Sequence, residues 1–141
     1  TKLPDALEAG TSNAVGFAGL IAAIDALTHE VHEHEMAMTD QVLKGLHAIP
    51  SVTIYGLPTI VGRTPVVLFN IEGTHPRDVM TTLDAEHGIA VRGGVHCAPL
   101  LHEAIGTGSD GGVRVSPGSG TSAKQIDIFL DAIRAMTPQH A

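Results

Sequence analysis

Val52-Thr53-Ile54-Tyr55, closed by Gly56 and Pro58, and Pro65-Val66-Val67-Leu68-Phe69-Asn70-Ile71 decide how this chain folds. Both runs are β-branched, apolar and bounded by turn residues, the composition that suits a pleated, half-buried surface. They read as two strands. Downstream, residues 74–87 place Val79, Met80 and Leu83 on one helical face, and Gly88 stands where a C′ residue ends a helix. Ile89-Ala90-Val91-Arg92 reads as a short strand broken by Gly93-Gly94, and a compact turn or short helix fills residues 98–105. Gly106, Gly108, Gly111 and Gly112 mark a loop before Val113-Arg114-Val115-Ser116 resumes extended structure. After Pro117-Gly118, either Thr121 or Ser122 caps a last helix whose inward face is Ile126, Phe129, Leu130 and Ile133, running to about residue 137.

Two helices precede the strands. Val15, Phe17, Leu20, Ile21, Ile24 and Leu27 recur at spacings of three and four behind the N-cap candidates Thr11, Ser12 and Asn13, which predicts one buried face. Residues 29–47 repeat the pattern with Val31, Met38, Val42, Leu43 and Leu46 before Pro50 stops it. The order predicts an α+β fold: a small, mostly antiparallel sheet with helices packed on one face, preceded by a long helix. The expected division is 1–48 as linking helices and 49–141 as a small C-terminal domain. Little within the chain can cover the first helix, and Thr1 is not Met, so a larger upstream domain is expected.

Composition narrows the partners. The chain has 141 residues, 43% hydrophobic, enough for one core. Fifteen acidic against eight basic residues give a net charge of −7, and no basic stripe appears, which disfavours nucleic acid. The most apolar stretch, residues 14–27, is 14 residues long and holds Asp25, short of the ~20 that cross a bilayer, so no membrane partner is expected. A single cysteine forms no internal disulfide, which favours a reducing, cytoplasmic setting.

Arg92-Gly93-Gly94-Val95-His96-Cys97-Ala98-Pro99 holds the strongest chemistry, a thiol just past a strand end in a glycine-loosened turn. Arg92 and His96 are the neighbours whose charge would raise the share of thiolate, the nucleophilic form. Against this stands the reading of Cys97 as a small buried hydrophobe. Arg114 lies between valines, an awkward place for a charge without an anionic partner, and its guanidinium fork matches a carboxylate. A structural ion pair or an exposed position explains Arg114 equally. His29, Glu30, His32, Glu33, His34 and Glu35 could form a surface metal site, but a solvated helix face accounts for them. His96, Cys97 and His102 lack an evident fourth ligand, so no metal is assigned.

Glu8-Ala9-Gly10-Thr11-Ser12-Asn13, Arg92-Gly93-Gly94-Val95-His96-Cys97-Ala98-Pro99-Leu100 and Val113-Arg114-Val115-Ser116 stand in the order and rough separation of three motifs of the class V aminotransferases. Within that family the chain resembles the cysteine desulfurases, pyridoxal-phosphate enzymes of fold type I, and matches their C-terminal small domain. The resemblance implies that L-cysteine, or a similar amino acid, is converted to L-alanine with a persulfide left on Cys97. It further implies that Arg114 binds the substrate carboxylate and that Arg92 is an active-site companion. Thr11 would bond the pyridoxal 5'-phosphate across the interface of a homodimer, and a sulfur-acceptor protein would take the persulfide sulfur. The likeness has gaps. The lysine that holds the cofactor and the acid that pairs its pyridine nitrogen have no counterpart here, since Lys2, Lys44 and Lys124 lack the motif. The isolated chain is therefore expected to bind no cofactor covalently and to leave cysteine unconverted. Ser119-Gly120-Thr121 also replaces the aromatic residue and Asn that relatives often carry before the final helix. The alternatives are another class V enzyme (a selenocysteine lyase, a C–S lyase or an aminotransferase) or a non-catalytic binding domain. Cys97 favours desulfuration, because amino-group transfer needs no thiol at that turn.

Overall fold

A computed structural model describes residues 2–7 and 10–137; Glu8 and Ala9 of the first motif lie outside the described residues. The chain forms two compact units, Thr1–His32 and Glu33–Ala141. In the first, a short 3-10 turn at Asp5–Leu7 precedes helix α1, Ala14–Ala26. Asn13 caps α1, its side-chain oxygen accepting from the Gly16 N–H at 2.9 Å. The buried face expected for this helix is not buried: Val15, Phe17, Leu20, Ile21, Ile24 and Leu27 are all more than half exposed. Apolar residues surround α1, so no side of it is clearly the inward one, and its small unit has too little mass to cover any side. No single helix among the described residues is long and apolar enough to cross a membrane.

The second unit holds the sheet. Helix α2 spans His29–His47 and buries Thr39, Val42, Leu43 and Leu46. Strands β1 (Val52–Tyr55) and β2 (Val67–Ile71) are followed by α3 (Pro76–His87), β3 (Arg92–Gly94), α4 (Pro99–Ala104), β4 (Gly112–Val115) and α5 (Ala123–Met136). The strands pair in the order β1-β2-β4-β3, every pair antiparallel. The sequence placed its division after residue 48, whereas the compact units divide between His32 and Glu33. Val42, Leu43 and Leu46 explain the difference, because they sit in the same core as the sheet.

Alternation along the strands sorts two faces. Val67, Phe69, Ile71, Val113 and Val115 join Val79 and Leu83 of α3 and Ile126, Phe129 and Ile133 of α5 in the core. Phe69 meets Phe129 edge to face, ring centroids 6.0 Å apart. On the opposite face the registers Thr53↔Asn70, Tyr55↔Leu68, Leu68↔Arg114 and Arg92↔Arg114 align positions that are polar or charged except for Leu68. Arg114 thus belongs to the face turned away from the core.

Strands β2 and β3 differ from the sequence reading, and α5 decides between its two cap candidates, each for a local reason. Strand β2 starts at Val67, because Pro65 has no N–H to donate and the Val66 N–H turns onto the Thr64 carbonyl at 2.7 Å. Strand β3 is Arg92–Gly94 rather than residues 89–92, so the glycines continue the strand instead of breaking it. A Cβ at Gly93 would collide with the Pro76 carbonyl, and a glycine there lets β3 run beneath the start of α3. Helix α5 takes Ser122 as its cap, in a capping box with Gln125. Thr121 instead accepts from the Gly118 N–H through its hydroxyl.

Candidate active site at the β3–α4 turn

The turn that follows Gly94 is closed by the Ala98 N–H donating to the Val95 carbonyl at 2.8 Å. Inside it His96 and Cys97 have φ of 52° and 60°, the only non-glycine residues with positive φ among those described. L-residues avoid this left-handed region at a cost of about 1–2 kcal/mol each. Two in succession mark a turn held by its surroundings, the kind of outlier that gathers at functional sites. The Cys97 side chain is exposed, which removes the reading of it as a buried core residue.

His96 packs back over the strand. Its Nε2–H donates to the Arg92 carbonyl at 3.2 Å, which fixes the tautomer and leaves Nδ1 as a lone-pair acceptor. Partial burial pushes the His96 pKa down; the Arg92 hydrogen bond opposes this, and charge interactions with Arg114, His102 and Arg92 push it down further. This environment disfavours the protonated imidazole, which weakens the positive charge that the sequence offered beside the thiol.

Arg114 is half-buried, and its Nε is buried with no hydrogen-bond partner. No ion pair reaches it among the described residues, so the structural ion pair offered as an alternative is absent there. Arg92 is its direct partner across β3–β4 and is exposed. Two guanidinium residues opposite one another on one face repel. An anion bound between or beside them would relieve both the repulsion and the orphaned Nε–H.

Close backbone packing joins the turn to β4. Gly111, at φ 73°, has no Cβ where one would strike the Gly94 carbonyl and the Val95 nitrogen, so the start of β4 crosses against the end of β3. Asn70 ties down the same corner, its Nδ2 donating to the Gly111 carbonyl at 3.0 Å and to the Tyr55 hydroxyl at 3.4 Å. An adjoining cleft of about 390 Å³ is lined by Tyr55, Asn70, His75, Thr107 and Asp110. Sequence reasoning passed over Asn70; its one signal was a lone amide inside an apolar strand.

The site residues proposed from sequence are only partly gathered. Cys97 lies on the β3–α4 turn, Arg92 on β3 and Arg114 on the paired strand β4. Thr11 is exposed in the N-terminal unit. As to a pyridoxal cofactor, the orphaned Arg114 guanidinium fits the carboxylate of an amino-acid substrate. The anchoring lysine is another matter. Lys2 is exposed in the N-terminal unit, Lys44 on α2 pairs with Asp40 at 2.5 Å, and Lys124 is exposed in the first turn of α5. In the helical histidine run, His34 Nε2–H donates to the Thr121 carbonyl at 2.7 Å.

Comparison with known proteins bears on the family and the fold. The family profile described as Aminotransferase class-V matches residues 1–129. A probable cysteine desulfurase of Synechocystis sp. is 34% identical over 139 residues, 95% of this chain and 32% of that protein. One from Pseudomonas putida is 38% identical over 135 residues, 92% of this chain and 32% of the relative. The apo cysteine desulfurase of Thermococcus onnurineus NA1 superposes with a TM-score of 0.85 at 33% identity, over 97% of this chain and 34% of that one. The Escherichia coli cysteine desulfurase CsdA, in an S-sulfonic acid form, gives 0.79 at 26% identity over 96% and 33%. The chain spans about a third of the length of the curated relatives it matches. By sequence profile and by fold, it belongs to the class V aminotransferase family.

Proposed function

We propose that this chain supplies the substrate-carboxylate grip and the sulfur carrier of a pyridoxal-phosphate-dependent cysteine desulfurase. The observation that carries the reading is the buried, unpartnered Nε of Arg114, whose charge reaches His96, the residue before the exposed thiol of Cys97. The similarity to cysteine desulfurases over more than nine-tenths of the chain supports it.

Arg114 accepts the α-carboxylate of L-cysteine in the fork geometry that matches two parallel N–H···O bonds. Arg92 opposite adds positive potential to the same face and keeps the anionic end of the substrate there. When bound, pyridoxal phosphate supplies an electron sink for bond-breaking at the substrate α-carbon. Cys97, as thiolate, then attacks the substrate sulfur: an S–S bond forms at Cys97 and the substrate C–S bond breaks, its electron pair passing to the carbon fragment. That fragment gains a proton and leaves as L-alanine, so L-cysteine plus the Cys97 thiol yields L-alanine plus a Cys97 persulfide. The chemistry suits a reducing, cytoplasmic compartment and a thiol acceptor on a partner protein. The cofactor's lysine is provided outside these 141 residues, and the reading takes Thr11 as a phosphate contact in a homodimer.

The test uses a pyridoxal-phosphate holoenzyme that contains this chain, incubated with L-cysteine without reductant. Intact-mass analysis is expected to find one added sulfur atom on the peptide holding Cys97, and Cys97→Ala is expected to abolish alanine formation. Normal alanine production by Cys97→Ala would assign the protein to C–S lyases instead.

A further inference from the structure

His102 is the one buried histidine among the described residues, 1% exposed, and the reaction proposed above makes no use of it. It stands in α4, where its N–H donates to the Ala98 carbonyl at 3.2 Å, one turn beyond Cys97. Its carbonyl accepts from the Thr107 N–H at 2.9 Å and the Gly108 N–H at 3.1 Å. The Thr107 hydroxyl also donates to that carbonyl, at 3.2 Å. With that hydrogen committed, the Thr107 oxygen accepts from His102 Nδ1–H at 2.7 Å. The imidazole is thereby locked from one side. On the other side it meets the His96 ring, centroids 5.5 Å apart and planes tilted by 49°.

This chain of contacts ends at the strained turn. His96 is held between the His102 ring and the Arg92 carbonyl, and it is His96 and Cys97 that occupy the left-handed region. Such conformations persist only where the surroundings over-determine them. We infer that His102 is a positioning residue for Cys97: anchored on Thr107 and backing the His96 ring, it holds residues 96–97 in the conformation that presents the sulfur. The purpose of that presentation rests on the desulfurase reading, but the restraint is a property of this chain and is measured without any sulfur transfer.

The experiment is NMR on the 141-residue chain. HN–Hα couplings and Cα and Cβ shifts of residues 96 and 97 report their φ, and α5 amides report the fold. Wild type is expected to show the left-handed signature at both residues. Thr107→Val removes the acceptor of His102 Nδ1–H at nearly constant volume, and His102→Leu keeps bulk but loses the donor. Both are expected to move residues 96 and 97 towards ordinary negative φ while the α5 amides stay put. His102→Gln, which keeps an N–H donor, is expected to restore the signature. Should His102→Leu fail to fold, Thr107→Val makes the same comparison alone. Left-handed signatures retained in Thr107→Val would overturn the inference, whatever the holoenzyme does with cysteine.

Discussion

Arg92 and Arg114 are Cα partners across the antiparallel β3–β4 pair, so two guanidinium side chains leave the sheet on one face. No ion pair reaches either among the described residues, and the Nε of Arg114 is buried without a partner. An unsatisfied buried donor costs about 1–3 kcal/mol, so the arrangement is a standing loss to stability that a bound anion would offset.

The first consequence is a gain on removal. Arg114→Met leaves an apolar, unbranched side chain beside Leu68 and takes away the orphaned donor. Urea denaturation of the ligand-free chain is expected to show it at least as stable as wild type, by up to about 1 kcal/mol. Clear destabilisation would mean that Arg114 serves the fold.

Gly111 is the opposite case. Its positive φ and the Gly94 carbonyl packed where a Cβ would stand make Gly111→Ala doubly unfavourable. The expected loss is about 2 kcal/mol or more, read from the denaturation midpoint. The same change is expected to disturb the amide signals of residues 94–97, because that strand end crosses over the glycine.

Ser122→Ala serves as a remote comparison. It removes the hydroxyl that accepts from the Gln125 N–H and leaves the other half of the capping box, the residue-122 N–H donating to Gln125 Oε1, at a cost of about 1 kcal/mol. Denaturation should register that loss, while alkylation of the single thiol at Cys97 should proceed at the wild-type rate.

The acid side of the stability profile follows from His96. Its folded pKa is depressed, by partial burial first and by the neighbouring positive charges after it. A depressed folded value means that the unfolded chain binds the proton more readily. The contribution is present above the ordinary histidine pKa of about 6.5 and is lost as pH falls through the lower folded value. NMR titration is expected to show His96 protonating below 6.5, and in His96→Gln the acid loss of stability should be shallower.

Much of the scaffold was legible because its signals are local. The β-branched, apolar run that ends at Ile71, Gly88 ending α3, and Ser122 as one of two cap candidates for α5 all act within one element. What escaped depends on contacts between elements. The glycines at 93–94 read as a break because nothing in the run reveals Pro76 passing overhead. The apolar spacing of α1 predicts burial, but spacing does not say what lies against a helix. Cys97 and Arg114 were found by their odd settings, a thiol in a glycine turn and a charge between valines. The lowered pKa of His96 and the anchoring of His102 by Thr107 needed three-dimensional neighbours from β3, β4 and the following loop.

The central claim is that the unpartnered guanidinium of Arg114 exists to hold a substrate carboxylate, and substrate discrimination tests it most directly. In a pyridoxal-phosphate holoenzyme containing this chain, kcat/KM is compared for L-cysteine and for cysteamine, its analogue without the carboxylate, in wild type and in Arg114→Met. A charge-assisted, two-pronged contact worth about 1.5–3 kcal/mol predicts that wild type prefers L-cysteine by roughly 10- to 100-fold and that the variant loses most of this preference. An Arg114→Met enzyme that still favours L-cysteine to the wild-type degree would contradict the account.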